Sequence, residues 1–298
     1  MCSNKNLRIG IHCSTSGSLE RAAIKANELG ANCLQIFSSS PRMWFAPQPD
    51  PAAIIRMADC RQKWDLAPLV IHDNYLINLA ASDLAIRKKS ISAFRGEVER
   101  AIAIGAEYLV MHPGSAKGYS AEEAIATFTD SIIEATEGLS SKHLQILFEN
   151  TAGQGSVLGS KFEELAELRN RAKNNVAFEI GYCIDTCHCY ASGYDVATAA
   201  GLKDTVAQAA AILGFDHIPV IHTNDSKGAL DSHLDRHANI GEGYIGLEGF
   251  RRILSDKQLK TKAFVLETPI DNDGDDLKNV EILKSLCRKR PTSTNLSS

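Results

Sequence analysis

The sequence has no Cys-x-x-Cys pair among its eight cysteines, no apolar run near the ~18 residues of a membrane span, and no basic excess. Each absence excludes something. Eight cysteines in 298 residues are too sparse for a small disulfide scaffold, so reduced and mostly buried thiols are expected. The missing apolar span argues against a membrane helix, and the polar start (Met1-Cys-Ser-Asn-Lys-Asn) carries no secretory core, so a cytoplasmic location is expected. With 32 Lys+Arg against 36 Asp+Glu the formal net charge is −4, which by itself gives no sign of a nucleic-acid partner. No Gly-x-Gly-x-x-Gly and no Walker lysine follow the first apolar run; His12-Cys-Ser-Thr-Ser-Gly-Ser18 stands there instead. That argues against a doubly wound nucleotide-binding sheet.

What is present is a globular chain, 44% hydrophobic and 23% charged, with no linker or composition break. Eight short apolar runs read as strands: Leu7–Ile11, Cys33–Phe37, Leu69–Ile71, Tyr108–Met111, Leu144–Phe148, Ile180–Ile184, Ile218–Ile221 and Ala263–Leu266. Continuous rather than alternating apolar character suits parallel strands covered on both faces. Helical patterns fill the gaps. One spans Leu19–Leu29 with a stop at Gly30; others span Leu84–Ile104, Val196–Leu213 and Leu277–Leu286, and Gly105 and Gly214 close the middle two. Ser120–Glu123 and Ser160–Glu163 both fit the capping-box pattern. Eight strands alternating with helices predict an α/β fold, a single (β/α)8 TIM barrel over residues 1–290, followed by a polar, frayed tail over 291–298.

The strand ends carry the chemistry. His12, His72, His112, Glu149, Asp185, His222 and Glu267 each end or follow a strand. From His72 onward the steps are 40, 37, 36, 37 and 45 residues, about one βα unit each. In a barrel such positions converge on the C-terminal rim, where catalysis occurs. Imidazoles and carboxylates crowded together there need cations to offset repulsion and desolvation. Cys183-Ile-Asp185-Thr-Cys-His188 and Asp235-Arg236-His237 add further ligand types. The set of nine is His72, His112, Glu149, Asp185, His188, His222, Asp235, His237 and Glu267. It is too many for one catalytic ion, which takes three or four protein ligands, and suits two or three ions sharing a carboxylate. Five histidines favour zinc or manganese over magnesium. Cys187 and Cys189 are read as packing thiols.

These segments resemble the endonuclease IV family of apurinic/apyrimidinic endonucleases, from about Ile9 to Pro269. The carriers are Ile9-Gly-Ile-His12, Ile71-His-Asp-Asn-Tyr-Leu-Ile-Asn-Leu79, Met111-His-Pro-Gly-Ser115, Phe148-Glu-Asn-Thr-Ala-Gly-Gln-Gly155 and Cys183-Ile-Asp-Thr-Cys-His188. His222-Thr-Asn-Asp-Ser-Lys227, Asp235-Arg-His-Ala-Asn-Ile-Gly-Glu-Gly243 and Leu266-Glu-Thr-Pro269 complete the set. The resemblance implies a TIM barrel with a trinuclear zinc site, manganese being an alternative at one or more positions. By matching motifs, His72 and His112 would hold the first ion. Asp185, His222 and Glu267 would hold the second, with Glu149 as the bridging, catalytic carboxylate. His188, Asp235 and His237 would hold the third. The implied reaction is hydrolysis of the phosphodiester 5′ to an abasic site in double-stranded DNA, leaving a 3′-hydroxyl and a 5′-deoxyribose phosphate, with trimming of blocked 3′ ends. The metal supplies the activated water and neutralises charge at the phosphate. Three zinc ions would also turn the chain's negative balance slightly positive.

The same resemblance points to DNA contacts. Ser38-Ser-Ser-Pro-Arg-Met-Trp44 matches the family loop that enters the minor groove, so Arg42, Met43 and Trp44 are wedge candidates. Tyr75 matches a DNA-contacting tyrosine, and Lys227 and Arg236 are candidate phosphate contacts. At Gly17-Ser18 the sequence departs from a family glycine pair, which removes no ligand. No obligate protein partner is expected. Two rival readings exist. A single-metal sugar isomerase or epimerase would use Glu149, Asp185, His222 and Glu267 and would not need His72, His112, His188, Asp235 and His237. A non-catalytic binder of damaged DNA would lack some of the ligand set, and none is missing.

Overall fold

The structure is a computed structural model and describes residues 7–287. The tail expected at 291–298 lies outside the described residues. Eight parallel strands close a barrel: β1 (Arg8–His12), β2 (Cys33–Phe37), β3 (Leu69–His72), β4 (Tyr108–Met111), β5 (Gln145–Glu149), β6 (Glu179–Asp185), β7 (Val220–His222) and β10 (Ala263–Leu266). Each pairs with its neighbour in order, and β10 closes onto β1 with Ile11 opposite Leu266. A two-stranded antiparallel ribbon, β8 (Asp225–Ser226) and β9 (His237–Ala238), stands apart from the barrel. The helices are α1 (Glu20–Glu28), α2 (Pro51–Trp64), α3 (Leu84–Ile104), α4 (Ala121–Thr136), α5 (Phe162–Ala172), α6 (Thr186–Ala191), α7 (Ala199–Ile212), α8 (Gly246–Ser255) and α9 (Asp275–Leu286). Among the described residues no helix is long and apolar enough to cross a membrane.

The local signals act where the chemistry allows. Asp83 caps α3 by accepting from the N–H groups of Ala85 and Ile86, and Gly105 ends it at φ 74°, a left-handed conformation that glycine adopts without Cβ strain. Ser120 and Glu123 form the full capping box of α4. The second box fails. Helix α5 begins one residue later than expected, with Lys161 at its N-cap and no side-chain cap bond. Glu164, rather than Glu163, reaches back, and it accepts from the Gly159 N–H at 3.0 Å. Helix α7 also starts later than the apolar pattern, because Asp195 accepts from the Ala197 and Thr198 N–H groups and hands the cap to Thr198.

Two apolar layers hold the barrel. The outer one packs Ile9, Leu34, Ile71, Leu109, Phe148 and Phe264 against the helices. The inner one fills the lumen with Cys33, Val70, Val110, Leu147, Cys183, Val220 and Val265, all fully buried. Side chains on a strand alternate faces, so the residue two further on points the same way. That rule places the site. Two beyond Val70, Val110, Leu147, Cys183, Val220 and Val265 stand His72, His112, Glu149, Asp185, His222 and Glu267. The lumen plug and the rim ligands are successive layers of one inward face. On β1 the plug position is Gly10, where a Cβ would strike the Cys33 carbonyl and sulfur. Gly10→Ala is therefore expected to cost about 1–3 kcal/mol in urea unfolding, the usual range for overpacking. An unchanged midpoint would show that the lumen has room to spare.

Candidate metal centre

Glu149 is the centre of the rim. It is fully buried, and its two oxygens face different partners. Oε2 lies 3.2 Å from His72 Nε2 and 3.6 Å from His112 Nε2. Oε1 lies 2.9 Å from His222 Nδ1 and 3.4 Å from His188 Nδ1. His222 Nδ1 is also 3.2 Å from Glu267 Oε2. Asp185 ends β6 and caps α6, accepting from the His188 N–H at 2.8 Å, so one carboxylate both joins the rim and sets the helix that presents His188. The β8–β9 ribbon brings the last pair. His188 Nε2 lies 3.2 Å from Asp235 Oδ1, and His237 Nε2 lies 3.7 Å from Asp185 Oδ2. All nine residues of the sequence-derived set thus meet at one rim, and six of them line a cavity of about 480 Å³ together with His12, Phe37, Tyr75 and Ile270.

The histidine hydrogen bonds reveal what the cluster is built to hold. A carbonyl oxygen only accepts, so a ring nitrogen bonded to one carries the proton. His72 Nδ1 donates to the Asp73 carbonyl at 2.9 Å, His188 Nδ1 to Asn150 at 2.9 Å, and His237 Nδ1 to Glu267 at 3.2 Å. In neutral rings the opposite nitrogen, Nε2, is then a lone pair. On His72 it points at the Glu149 carboxylate; on His188 and His237 it is buried with no hydrogen-bond partner. Lone pairs facing carboxylates across 3–4 Å repel unless a cation lies between them. The donor set fits a transition-metal cluster on these grounds.

Electrostatics agree. Burial alone would raise the Glu149 carboxyl, but the imidazoles of His222, His112 and His188 outweigh it and hold it well below the usual range. Glu267 is held down to about 2 against the same burial, first by His222. His72 is pushed up to about 10, because Glu149, Glu267 and Asp73 together overcome its desolvation. The cluster is a trap for positive charge, which bound dications supply far more strongly than protons do.

Several supporting residues escaped the sequence reading. Gln35, fully buried on β2, donates from Nε2 to Glu267 Oε1 at 2.5 Å and accepts at Oε1 from His222 Nε2 at 2.7 Å. It stands two past Cys33 and is the β2 member of the rim layer, so the period-two rule could have found it. Asn224 donates to Asp185 Oδ2 at 2.6 Å, and its Oδ1 accepts from the Glu267 N–H. Asn150 accepts from the Asp185 N–H at 2.6 Å. Asp225 accepts from the N–H groups of Gly241, Gly243 and Ile245 and so pins the segment that follows His237. Gln35→Leu is expected to weaken metal affinity by roughly 10- to 100-fold, as loss of an outer-shell partner does. Titration against a chromophoric chelator checks this; unchanged affinity would reduce Gln35 to packing.

Cys187 and Cys189 sit on α6 and are buried, and burial pushes the Cys187 thiol up to about 12. Cys187 donates to the Arg236 carbonyl rather than joining the cluster. Of the candidate DNA contacts, Tyr75 lines the cavity. Arg42, Met43, Tyr75, Lys227 and Arg236 are exposed. Trp44 is half-buried and packs on the outer core, whereas Phe45, next along, is exposed. Tyr75 meets Phe37 edge-on with ring centroids 5.3 Å apart.

Fold and rim together define a TIM-barrel enzyme of the xylose isomerase-like class, and the model of that family matches residues 23–288. Relatives narrow the class. The probable endonuclease 4 of Solibacter usitatus is 55% identical over 280 residues, covering 94% of this chain and 97% of its own. The crystal structure of endonuclease IV from Thermus thermophilus superposes with a TM-score of 0.82 at 35% identity, covering 94% of this chain and 98% of its own. A D-tagatose 3-epimerase-like protein, 22% identical with a TM-score of 0.65 over 93% of this chain and 96% of its own, shares the fold alone. The chain belongs to the endonuclease IV family and is an endonuclease.

Proposed function

We propose that this endonuclease hydrolyses the phosphodiester 5′ to abasic sites in double-stranded DNA, leaving a 3′-hydroxyl and a 5′-deoxyribose phosphate, and trims blocked 3′ ends. The observation that carries the proposal is the set of imidazole lone pairs aimed at carboxylates around Glu149. His72 and His112 would hold one zinc ion, Asp185, His222 and Glu267 a second, and His188, Asp235 and His237 a third. Zinc, when bound, would supply an activated water and stabilise charge on the phosphate oxygens.

The protein's own groups do the rest. Glu149 divides its two oxygens between the His72–His112 side and the His222 side, which is the division a shared ligand needs. Gln35, Asn150 and Asn224 fix the orientation of His222, Asp185 and Glu267. Tyr75 lines the cavity, and Arg42 and Met43 are exposed; these residues would enter the minor groove and fill the gap left by the missing base. Trp44 supports the loop that carries Arg42 and Met43 from beneath, so these two form its tip. Lys227 and Arg236 would meet the phosphate backbone beside the ribbon. A sugar epimerase would have no use for His72, His112, His188, Asp235 and His237 beside its own four ligands.

The test is a duplex oligonucleotide bearing one tetrahydrofuran abasic analogue, incubated with zinc-loaded protein. A nick on the 5′ side, with a 3′ end that a polymerase extends, is the expected product. Because tetrahydrofuran cannot undergo β-elimination, a nick also excludes a lyase. An intact duplex in the presence of zinc would overturn the proposal.

A further inference from the structure

His12 ends β1 on the inward face, lines the same cavity as six of the nine candidate ligands, and among the described residues belongs to none of the groups placed to hold a metal. Its proton can be placed by following one chain of hydrogen bonds. An ionised carboxylate only accepts, so the Gln35 atom 2.5 Å from Glu267 Oε1 is the amide nitrogen. The Gln35 oxygen therefore lies at the other end, 2.7 Å from His222 Nε2, and that nitrogen must carry a proton. The neutral His222 ring then presents its Nδ1 lone pair to Glu149 and Glu267, as a ligand should. The Gln35 amide nitrogen has a second hydrogen and a second neighbour, His12 Nδ1, at 3.1 Å. As an amide N–H donates, His12 Nδ1 accepts, and the neutral ring carries its hydrogen on Nε2. Among the described residues no protein group bonds to that Nε2, and His12 is only half-buried, on the cavity wall. Phe37 packs against the ring with centroids 4.3 Å apart and limits its rotation.

We propose that His12 is a further catalytic residue: a neutral imidazole, locked by Gln35 into one tautomer, that donates its Nε2–H to a non-bridging oxygen of the scissile phosphodiester. The proposal rests on the phosphodiester reading above. The chemistry favours a phosphate oxygen as the acceptor. A neutral donor beside this acidic rim does not compete with the candidate ligands for a metal ion, since its proton occupies the nitrogen that would bind one. It also strengthens as negative charge grows on the phosphate in the transition state. Gln35 is a positioning residue that links the metal side of the rim to the donor side through one amide.

Two measurements test this. Nitrogen-15 spectra of histidine-labelled, zinc-loaded protein should show His12, assigned by its loss in His12→Asn, as the Nε2-protonated tautomer. An Nδ1-protonated ring or an imidazolium there would overturn the proposal without any substrate being present. In the tetrahydrofuran-duplex assay, His12→Ala should lower kcat by about 100-fold, the scale of a lost transition-state donor, with KM and zinc content unchanged. His12→Asn, which keeps an N–H donor, should recover part of that loss. A wild-type protein that nicks beside an equally fast His12→Ala variant overturns the role of His12 alone. Loss of zinc in His12→Ala would make it a ligand and overturn the donor role. A wild-type protein that does not nick overturns the phosphodiester reading and this proposal with it, and the spectra separate the two failures.

Discussion

Glu149→Ala is expected to abolish turnover on the abasic-analogue duplex, by more than roughly 10³-fold, because a group shared by all the transition-state interactions is lost with it. The geometry gives the reason. Four imidazoles, those of His72, His112, His188 and His222, lie within 3.6 Å of its two oxygens. No neighbour can replace it: Asp185 accepts from Asn224 and caps α6, and Glu267 is tied to Gln35 and His222. Zinc content should fall along with activity. Near-wild-type turnover would mean that the rim is organised around some other group.

The second large effect lies away from the ligands. Glu97 and Arg100 form a buried ion pair on α3 at 2.9 Å, 1% and 4% exposed. The pair ties down the loop that carries Arg42, Met43 and Trp44 at both ends. Ser38 donates to Glu97, Arg100 donates to Ser38 at 2.8 Å, and Arg100 also reaches the Ala46 carbonyl at 3.4 Å. Glu97→Gln leaves a buried guanidinium without its counter-charge, and breaking one side of such a pair costs about 3–5 kcal/mol. For a chain of this size that is a fall in Tm of roughly 10 °C. KM for the abasic duplex should rise more than kcat falls, since on the proposed reading the loop would contact DNA while the rim is untouched. The double variant Glu97→Leu/Arg100→Met should lose less stability than Glu97→Gln, because no charge is left stranded. A Glu97→Gln protein that melts within about 2 °C of the wild type would show that water reaches the pair.

Much of this site was legible in the sequence because a parallel barrel makes position along a strand equivalent to position in space. Apolar runs such as Leu69–Ile71 and Ala263–Leu266 announced buried strands, and the next residue announced the rim. Asp185 and His188 were readable for a similar reason, as the spacing of three spans one turn of the short helix that Asp185 caps. Gln35 was missed because it lies inside its strand and has no metal-binding chemistry of its own; only the alternation of faces exposes it. The shifted helix starts near Ser160 and Thr198 turned on which nearby carboxylate, Glu164 or Asp195, took the free N–H groups, a competition the capping pattern alone does not decide. Nor does composition encode the loop before Asp235, where Asp231 and His233 take left-handed angles of 61° and 53° that residues with a Cβ seldom adopt. Trp44 was a wedge candidate by its chemistry, and its half-burial depends on which face of the 38–46 loop meets the core.

The most direct test of the proposed three-metal reading of the rim is metal analysis of protein purified without chelator. Close to three zinc ions per chain are expected, since nine ligand side chains converge there and every candidate ligand histidine but His112 has one ring nitrogen fixed as a donor elsewhere. A single manganese or magnesium ion per chain would contradict it and return the site to the chemistry of the sugar epimerases.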